Sequence, residues 1–136
     1  MKQTILIIED NDQNLYLITF ILEKNGFNVI AARNGHDGIE IACWDIPDLI
    51  LLDIQLPLMD GYEVARRLRQ IDVAKKIPII AVTSYAMVGD REKALAAGCT
   101  GYMEKPINPE TFMDEITSHL KKKIFCWRLW DTLKSR

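Results

Sequence analysis

The chain has no apolar run approaching the roughly eighteen residues that a membrane-spanning helix needs. Its opening stretch, MKQTILIIED, is too short and turns acidic too soon to read as a secretory leader, so a cytoplasmic protein is expected. Cysteine is sparse: Cys43, Cys99 and Cys126 are an odd number at spacings that match neither a redox CxxC pair nor a zinc set, and they are expected as core or surface thiols. Neither G-x-G-x-x-G nor G-x-x-x-x-G-K-[ST] occurs, which removes two common glycine-rich phosphate cradles. A net basic balance is lacking over most of the length. Six Lys or Arg fall from Lys121 onward against the single Asp131, a local +5, so the overall charge of -2 leaves -7 on residues 1–120 and no basic patch for nucleic acid there.

What is there suits one compact soluble domain. At 136 residues, 49% of them hydrophobic, the chain can bury one core but not two. TILII (4–8) reads as a strand, followed by Leu15, Ile18 and Leu22 at helical spacing and a stop at Asn25-Gly26. FNVIAA (27–32) reads as a second strand, and Asn34-Gly35 leads into a weaker helix carrying Ile39, Ala42 and Cys43. LILL (49–52) is a third strand. After the loop 54–60, Val64, Leu68 and Ile71 mark one face of a third helix, and Pro78 introduces IIAV (79–82). A fourth helix is expected over about 87–97, closed by Gly98, then a short strand over about 100–103. Asn108-Pro109-Glu110 announces a fifth helix with Phe112, Ile116 and Leu120 inward. Strands one, three and four are apolar throughout rather than alternating, which suits a parallel sheet covered on both faces. Right-handed crossovers then leave few topologies, and a doubly wound α/β fold of five parallel strands is the leading one.

In such sheets ligands bind beyond the carboxyl ends of the strands. The residues leaving the strands are Glu9-Asp10 after the first, Asp53 after the third, Thr83-Ser84 after the fourth and Lys105 after the fifth. Three carboxylates brought together repel one another, so they must hold a proton or recruit a hard cation, for which Mg²⁺ is suited because it takes a few carboxylates and keeps waters for a phosphate oxygen. Lys105 can hold a carboxylate at rest and a phosphoryl oxygen afterwards, and the Thr83 hydroxyl can donate one hydrogen bond. Singly, each has a plain structural use: Asp10 could cap the first helix, Asp53 open a turn, Thr83 suit a strand, Lys105 sit in water. Their joint placement at successive strand ends favours a shared site that holds a phosphoryl group on a carboxylate.

With LIIEDN, LLDIQLPLMDG, AVTSYA and YMEKPI in this order and spacing, the chain resembles a CheY-like response-regulator receiver domain over residues 4 to about 120. The stretches LILLDIQLP and AMVGDREKALAAGC look most like single-domain regulators of the DivK type and the receivers of hybrid sensor kinases. The resemblance implies that Asp53 accepts a phosphoryl group from a histidine kinase or phosphotransfer protein. Asp10, Asp53 and the backbone carbonyl of Gln55 would bind Mg²⁺, with Glu9 reaching it through water. It also implies the flavodoxin-like strand order 2-1-3-4-5 and a cis Lys105–Pro106 bond. Thr83 would move toward the phosphoryl group, Tyr102 would turn into the vacated space, and the face of the fourth helix, fifth strand and fifth helix would change its partners. Gln55 and Tyr85 occupy positions that tune phosphoryl lifetime in the family, so no decay rate carries over.

Two other chemistries were open to the residues. A haloacid-dehalogenase-type phosphatase also uses a strand-end aspartate with magnesium, but needs a second acid two residues on, where this chain has Gln55. A flavodoxin-like cofactor binder needs a Gly/Ser/Thr phosphate cradle after the first strand, where this chain has EDNDQN. The expected protein is therefore a phosphoacceptor switch rather than an enzyme, acting through a downstream protein partner or through its tail. In that tail, KKKIFCWRLWDTLKSR, residues Ile124, Trp127, Trp130 and Leu133 recur every three positions. Residues 121–136 are expected as a basic, Trp-containing extension of a receiver spanning 1–120. Its uses, in order of preference, are a helix folded back on the domain or a linker, a protein contact including self-association, and an anionic membrane surface. His36 and His119 are expected as solvated surface residues with no paired acid.

Overall fold

The structure, a computed structural model, describes residues 2–84 and 87–120. The readings made of Tyr85, Cys126 and the tail from Lys121 therefore lie outside the described residues. The elements run β1 (Thr4–Ile8), α1 (Asp12–Lys24), β2 (Asn28–Ala32), α2 (Gly35–Asp45), β3 (Leu49–Asp53), α3 (Gly61–Arg69), β4 (Ile79–Thr83), α4 (Asp90–Ala97) and β5 (Gly101–Glu104). The strands form one parallel sheet in the order β2-β1-β3-β4-β5. This is the order that the family resemblance implies, and the three uninterrupted apolar runs occupy its centre as a doubly covered sheet requires.

Burial explains the composition of each strand. Every residue of β3 and β4 is buried, whereas the edge strands β2 and β5 are partly exposed. Along a strand the side chains alternate between faces. Leu6, Ile8, Ile50, Leu52, Ile79 and Ala81 pack with Ala42 of α2, Val64, Ala65 and Leu68 of α3, and Ala94 and Ala97 of α4. Ile5, Ile7, Leu49, Leu51, Ile80 and Val82 point to the opposite face and are as deeply buried. The buried Leu15, Ile18, Ile21 and Leu22 of α1 stay out of the first cluster, which assigns that helix to the opposite face.

Two boundaries differ from expectation for local reasons. Phe27 donates its N–H to Leu22 O at 3.1 Å, so it closes α1 instead of starting β2. The fourth helix starts at Asp90, not near residue 87, because Gly89 takes a left-handed φ of 92° and Asp90 Oδ2 accepts the N–H of Met87 at 2.7 Å, making residues 87–90 a turn.

The chain divides by compactness into Met1–Pro106 and Ile107–Arg136. In the second unit a helix spans 109–120 (α5); Asn108 Oδ1 accepts from Glu110 N at 3.0 Å, and Phe112, Ile116 and Leu120 are buried as their spacing predicts. His119 corrects the expectation made for it. It is half-buried, with Nε2 3.4 Å from Glu115 Oε1 one helical turn earlier. His36 is exposed, Cys43 is half-buried and Cys99 buried, both as free thiols.

One side chain ties together the connections around α3 and α4. Arg69, at the end of α3, donates from Nε to Gly98 O at 2.7 Å and from Nη1 to the carbonyls of Ala74 (3.3 Å), Lys75 (3.1 Å) and Ile77 (2.8 Å). Gly98 ends α4 with φ 109°, and a Cβ there would lie 2.4 Å from Arg69 Cγ, so glycine is required by both backbone and space. Arg69→Met keeps the apolar stem and strands those carbonyls. It should lower the unfolding free energy by about 2–3 kcal/mol in urea titrations at unchanged m. A loss below about 0.5 kcal/mol would mean that water replaces the guanidinium at no net cost.

Candidate functional site

The parallel register brings four strand ends to one edge. Asp53 stands opposite Val82 and Thr83 opposite Glu104, so the last residues of β3 and β4 and the residue after β5, Lys105, reach the same rim as Glu9 and Asp10 beyond β1. Glu9 is held there by its own backbone, donating to Ala32 O at 3.0 Å. Asn11, not Asp10, caps α1, its side chain accepting from Asn14 N at 2.9 Å. The Asp10 carboxylate is thereby left for the rim.

Asp53 sits in a pocket of backbone. Ile54 N donates to Val82 O at 3.0 Å and Gly61 N to Ile54 O at 3.0 Å, folding the β3–α3 connection over the strand end. A Cβ on Gly61 would lie 2.6 Å from Asp53 O and 2.7 Å from Ile54 Cα, which explains the glycine in LMDG. Gln55 N donates to Asp53 Oδ1 at 3.0 Å, so the turn-opening use considered for Asp53 is real and coexists with the site.

Three polar side chains are almost wholly buried among the described residues: Glu9 (2% exposed), Asp53 (4%) and Thr83 (1%). Lys105 lies 2.6 Å from Glu9 Oε1 and 3.8 Å from Asp53 Oδ2, with its side chain only 11% exposed, so it is no solvated surface lysine. The peptide bond from Lys105 to Pro106 is cis. Two acids and one ammonium cannot all be charged cheaply in such a place. Burial, and then the hydrogen bond to Glu9 and its negative charge, push the Asp53 carboxyl up to about 7, against the pull of Lys105 and the Gln55 N–H. Burial acts on Glu9 in the same sense, but its bonds to Asp53 and Lys105 and the lysine charge prevail and hold it below the usual carboxylate range. Of the two, Asp53 is the acid that holds a proton more readily and Glu9 the one that stays charged.

Glu9, Asp10 and Asp53 each place a carboxylate oxygen within 4.8 Å of the others. Hard oxygen donors of this charge fit a small divalent cation, which would displace the shared proton. Thr83 takes up a different contact. Its Oγ1 accepts from Gln55 Nε2 at 2.5 Å, and Gln55 Oε1 accepts from Ser84 N at 3.0 Å. Tyr102, opposite Ala81 in the register, lies on the same face of the sheet as Thr83, one strand over and one pleat back. It is partly buried against the cluster beneath α3 and α4, so its ring is not simply a solvated strand residue. Burial, then Asp90 and Glu104, raise its hydroxyl pKa.

Among the described residues, Glu9, Asp10, Asp53, Thr83 and Lys105 meet at this rim, as their places at the strand ends predict, while three contacts around it were not foreseen. The bridging role of the Gln55 amide was not legible. The cap by Asn11 was signalled only by the pattern Asn-Asp ahead of an apolar helix. The pairing of Tyr62 with Asp90, hydroxyl to Oδ1 at 3.4 Å, carried no local signal at all.

Comparison with known proteins agrees with this geometry. Residues 5–117 match the response regulator receiver domain. The chain is 42% identical over 120 residues to the polar-differentiation response regulator DivK of Brucella anthropi, a match covering 88% of this chain and 98% of that one. Among solved structures, the receiver domain of the sensor histidine kinase PA1611 from Pseudomonas aeruginosa, which has magnesium coordinated in its active-site cleft, is 33% identical with a TM-score of 0.83, covering 89% of this chain and 99% of its own. The receiver domain of Saccharomyces cerevisiae Ssk1, crystallised with the histidine phosphotransfer protein Ypd1, is 30% identical with a TM-score of 0.79, covering 85% and 87%. Family match, curated relatives and buried acidic rim agree, and the chain belongs to the response regulator receiver domains of two-component signalling.

Proposed function

We propose that Asp53 is the phosphoacceptor of this receiver, loaded from a phosphohistidine of a sensor kinase or phosphotransfer protein in the cytoplasm. The observation that carries this reading is the placement of Asp53: buried at a rigid strand end, with two further acids within 4.8 Å of its oxygen and Lys105 3.8 Å away. An Asp53 oxygen forms the new O–P bond as the N–P bond of the donor breaks, and the released imidazole nitrogen takes a proton from solvent. Glu9, Asp10 and Asp53, with the Gln55 backbone carbonyl, would hold Mg²⁺, which when bound offsets negative charge gathering on the phosphoryl oxygens. Lys105 moves from pairing with Glu9 to pairing with the phosphoryl group, and the Thr83 hydroxyl donates to it. Thr83 and Tyr102 then act as the switch, altering the α4–β5 surface that a downstream protein reads. Residues 1–120 form the receiver, a reading supported by the family match over 5–117. Residues 121–136 are an extension available for a further contact, including self-association.

Incubation with a small acyl phosphate followed by intact-mass measurement tests the chemistry directly. One phosphoryl addition is expected on the wild type with Mg²⁺, none with a chelator, and none on Asp53→Asn. An unchanged addition to Asp53→Asn would place the acceptor elsewhere and end this reading.

The raised pKa of Asp53 supplies an independent test without phosphate. An acid lifted from 3.8 to about 7 in the folded chain contributes stability that is full below its unfolded value and is lost as pH rises through about 7. In chelator, Asp53→Asn should therefore gain on the wild type as pH rises from 5 to 8, by on the order of 2 kcal/mol in urea unfolding. Saturating Mg²⁺ should erase that gain by binding the wild type's ionised cluster. A stability difference independent of both pH and Mg²⁺ would contradict the shared proton.

A further inference from the structure

Gln55 makes contacts that neither metal binding nor phosphoryl chemistry requires. Its backbone N–H holds Asp53 Oδ1 at 3.0 Å, and its side chain crosses from the β3–α3 connection to the end of β4, where Nε2 donates to Thr83 Oγ1 at 2.5 Å and Oε1 accepts from Ser84 N at 3.0 Å. The orientation of the amide is set by chemistry. A backbone N–H can only donate, so Oε1 must face Ser84, and the N–H₂ end is left facing the threonine oxygen. One residue therefore touches the carboxylate that is to be modified, the threonine that is to respond and the residue that follows it.

Resting on the reading of Asp53 as phosphoacceptor and Thr83 as responder, we infer that the Gln55 side chain is a latch that holds Thr83-Ser84 in the resting position and sets how readily the unphosphorylated chain visits the switched one. For the Thr83 hydroxyl to approach a phosphoryl group on Asp53, Oγ1 must leave Gln55 Nε2. Because the second half of the amide grips Ser84 N, the backbone after β4 is restrained along with the side chain. Gln55 is exposed to solvent, so water can replace either bond and each contributes modestly. That suits a latch that must open: two bonds of this kind bias an equilibrium without locking it. An amide is also the group that fits, since it offers one donor and one acceptor without placing another charge beside Glu9, Asp10 and Asp53. The effect concerns the unphosphorylated protein and is separate from any influence of Gln55 on phosphoryl lifetime.

The test compares wild type with Gln55→Met, which keeps the length and loses both polar ends, using the full chain with Mg²⁺. Amide resonances of Thr83 and Ser84 are recorded before and after phosphorylation of the wild type with a small acyl phosphate, verified by intact mass. The two wild-type spectra define the path from resting to switched. Unphosphorylated Gln55→Met should lie part-way along that path, reporting about a fivefold to tenfold shift toward the switched state, and its phosphoryl uptake should quicken by a similar factor. A merely structural role would displace these resonances off the path and leave uptake unchanged. Resonances that stay at the resting position, or move off the path, overturn the latch while leaving the phosphoacceptor reading intact. A wild type that takes up no phosphoryl group overturns that reading and the latch with it.

Discussion

Two carboxylates, Glu9 and Asp53, lie side by side in almost complete burial, with the single ammonium of Lys105 placed closer to Glu9 than to Asp53. Burying one such charge without a partner costs several kcal/mol, and burying two beside one cation leaves a negative surplus that the fold must absorb. Here the surplus is eased at Asp53, whose carboxyl is pushed up to about 7. The site is therefore poised by construction: of the two buried acids, Asp53 is the one that gives up its charge more readily. Like-charged acids at a strand end would be a plain liability in a protein that used them only for structure.

Such poising needs a scaffold that does not relax around it. β1 and β3, which carry Glu9 and Asp53, are neighbours at the centre of the sheet, and β4 carries Thr83 beside them. Their fully apolar sequences bury both faces, so the strand ends cannot retreat into solvent without exposing a row of Ile and Leu. Lys105 comes from beyond the edge strand, which is only partly buried. The rim thus joins the fully buried centre of the sheet to its partly exposed edge.

Much of this was legible in the sequence because it is written in one-dimensional periodicity. Uninterrupted ILII, LILL and IIAV runs can satisfy their burial only in a sheet covered on both faces, and the polar residues after them then have one place to go. Boundaries failed where a single backbone feature overrode the pattern, as at Gly89, whose left-handed φ delays α4 to Asp90. The contacts that stayed hidden are those made by long side chains across connections remote in sequence. Arg69 reaching Gly98 and Gln55 reaching Thr83 depend on rotamers and loop proximity, neither of which leaves a trace in residue spacing. His119 was misjudged for a simpler reason: Glu115, one turn earlier on the same helix, is a partner that i,i+4 spacing does announce.

The identity of Gln55 bears on what the site can do with a phosphoryl group once it holds one. A hydrolase built on a strand-end aspartate places a second carboxyl two residues later, to protonate the leaving group and then take a proton from water. An amide at that position has no proton to exchange, and in this chain both its polar ends are engaged with Thr83 and Ser84. The side chain nearest to the task is thus unsuited to it and otherwise occupied. An amide in place of the acid therefore leaves the position without a proton-exchanging group and at the same time ties the connection after β3 to the end of β4.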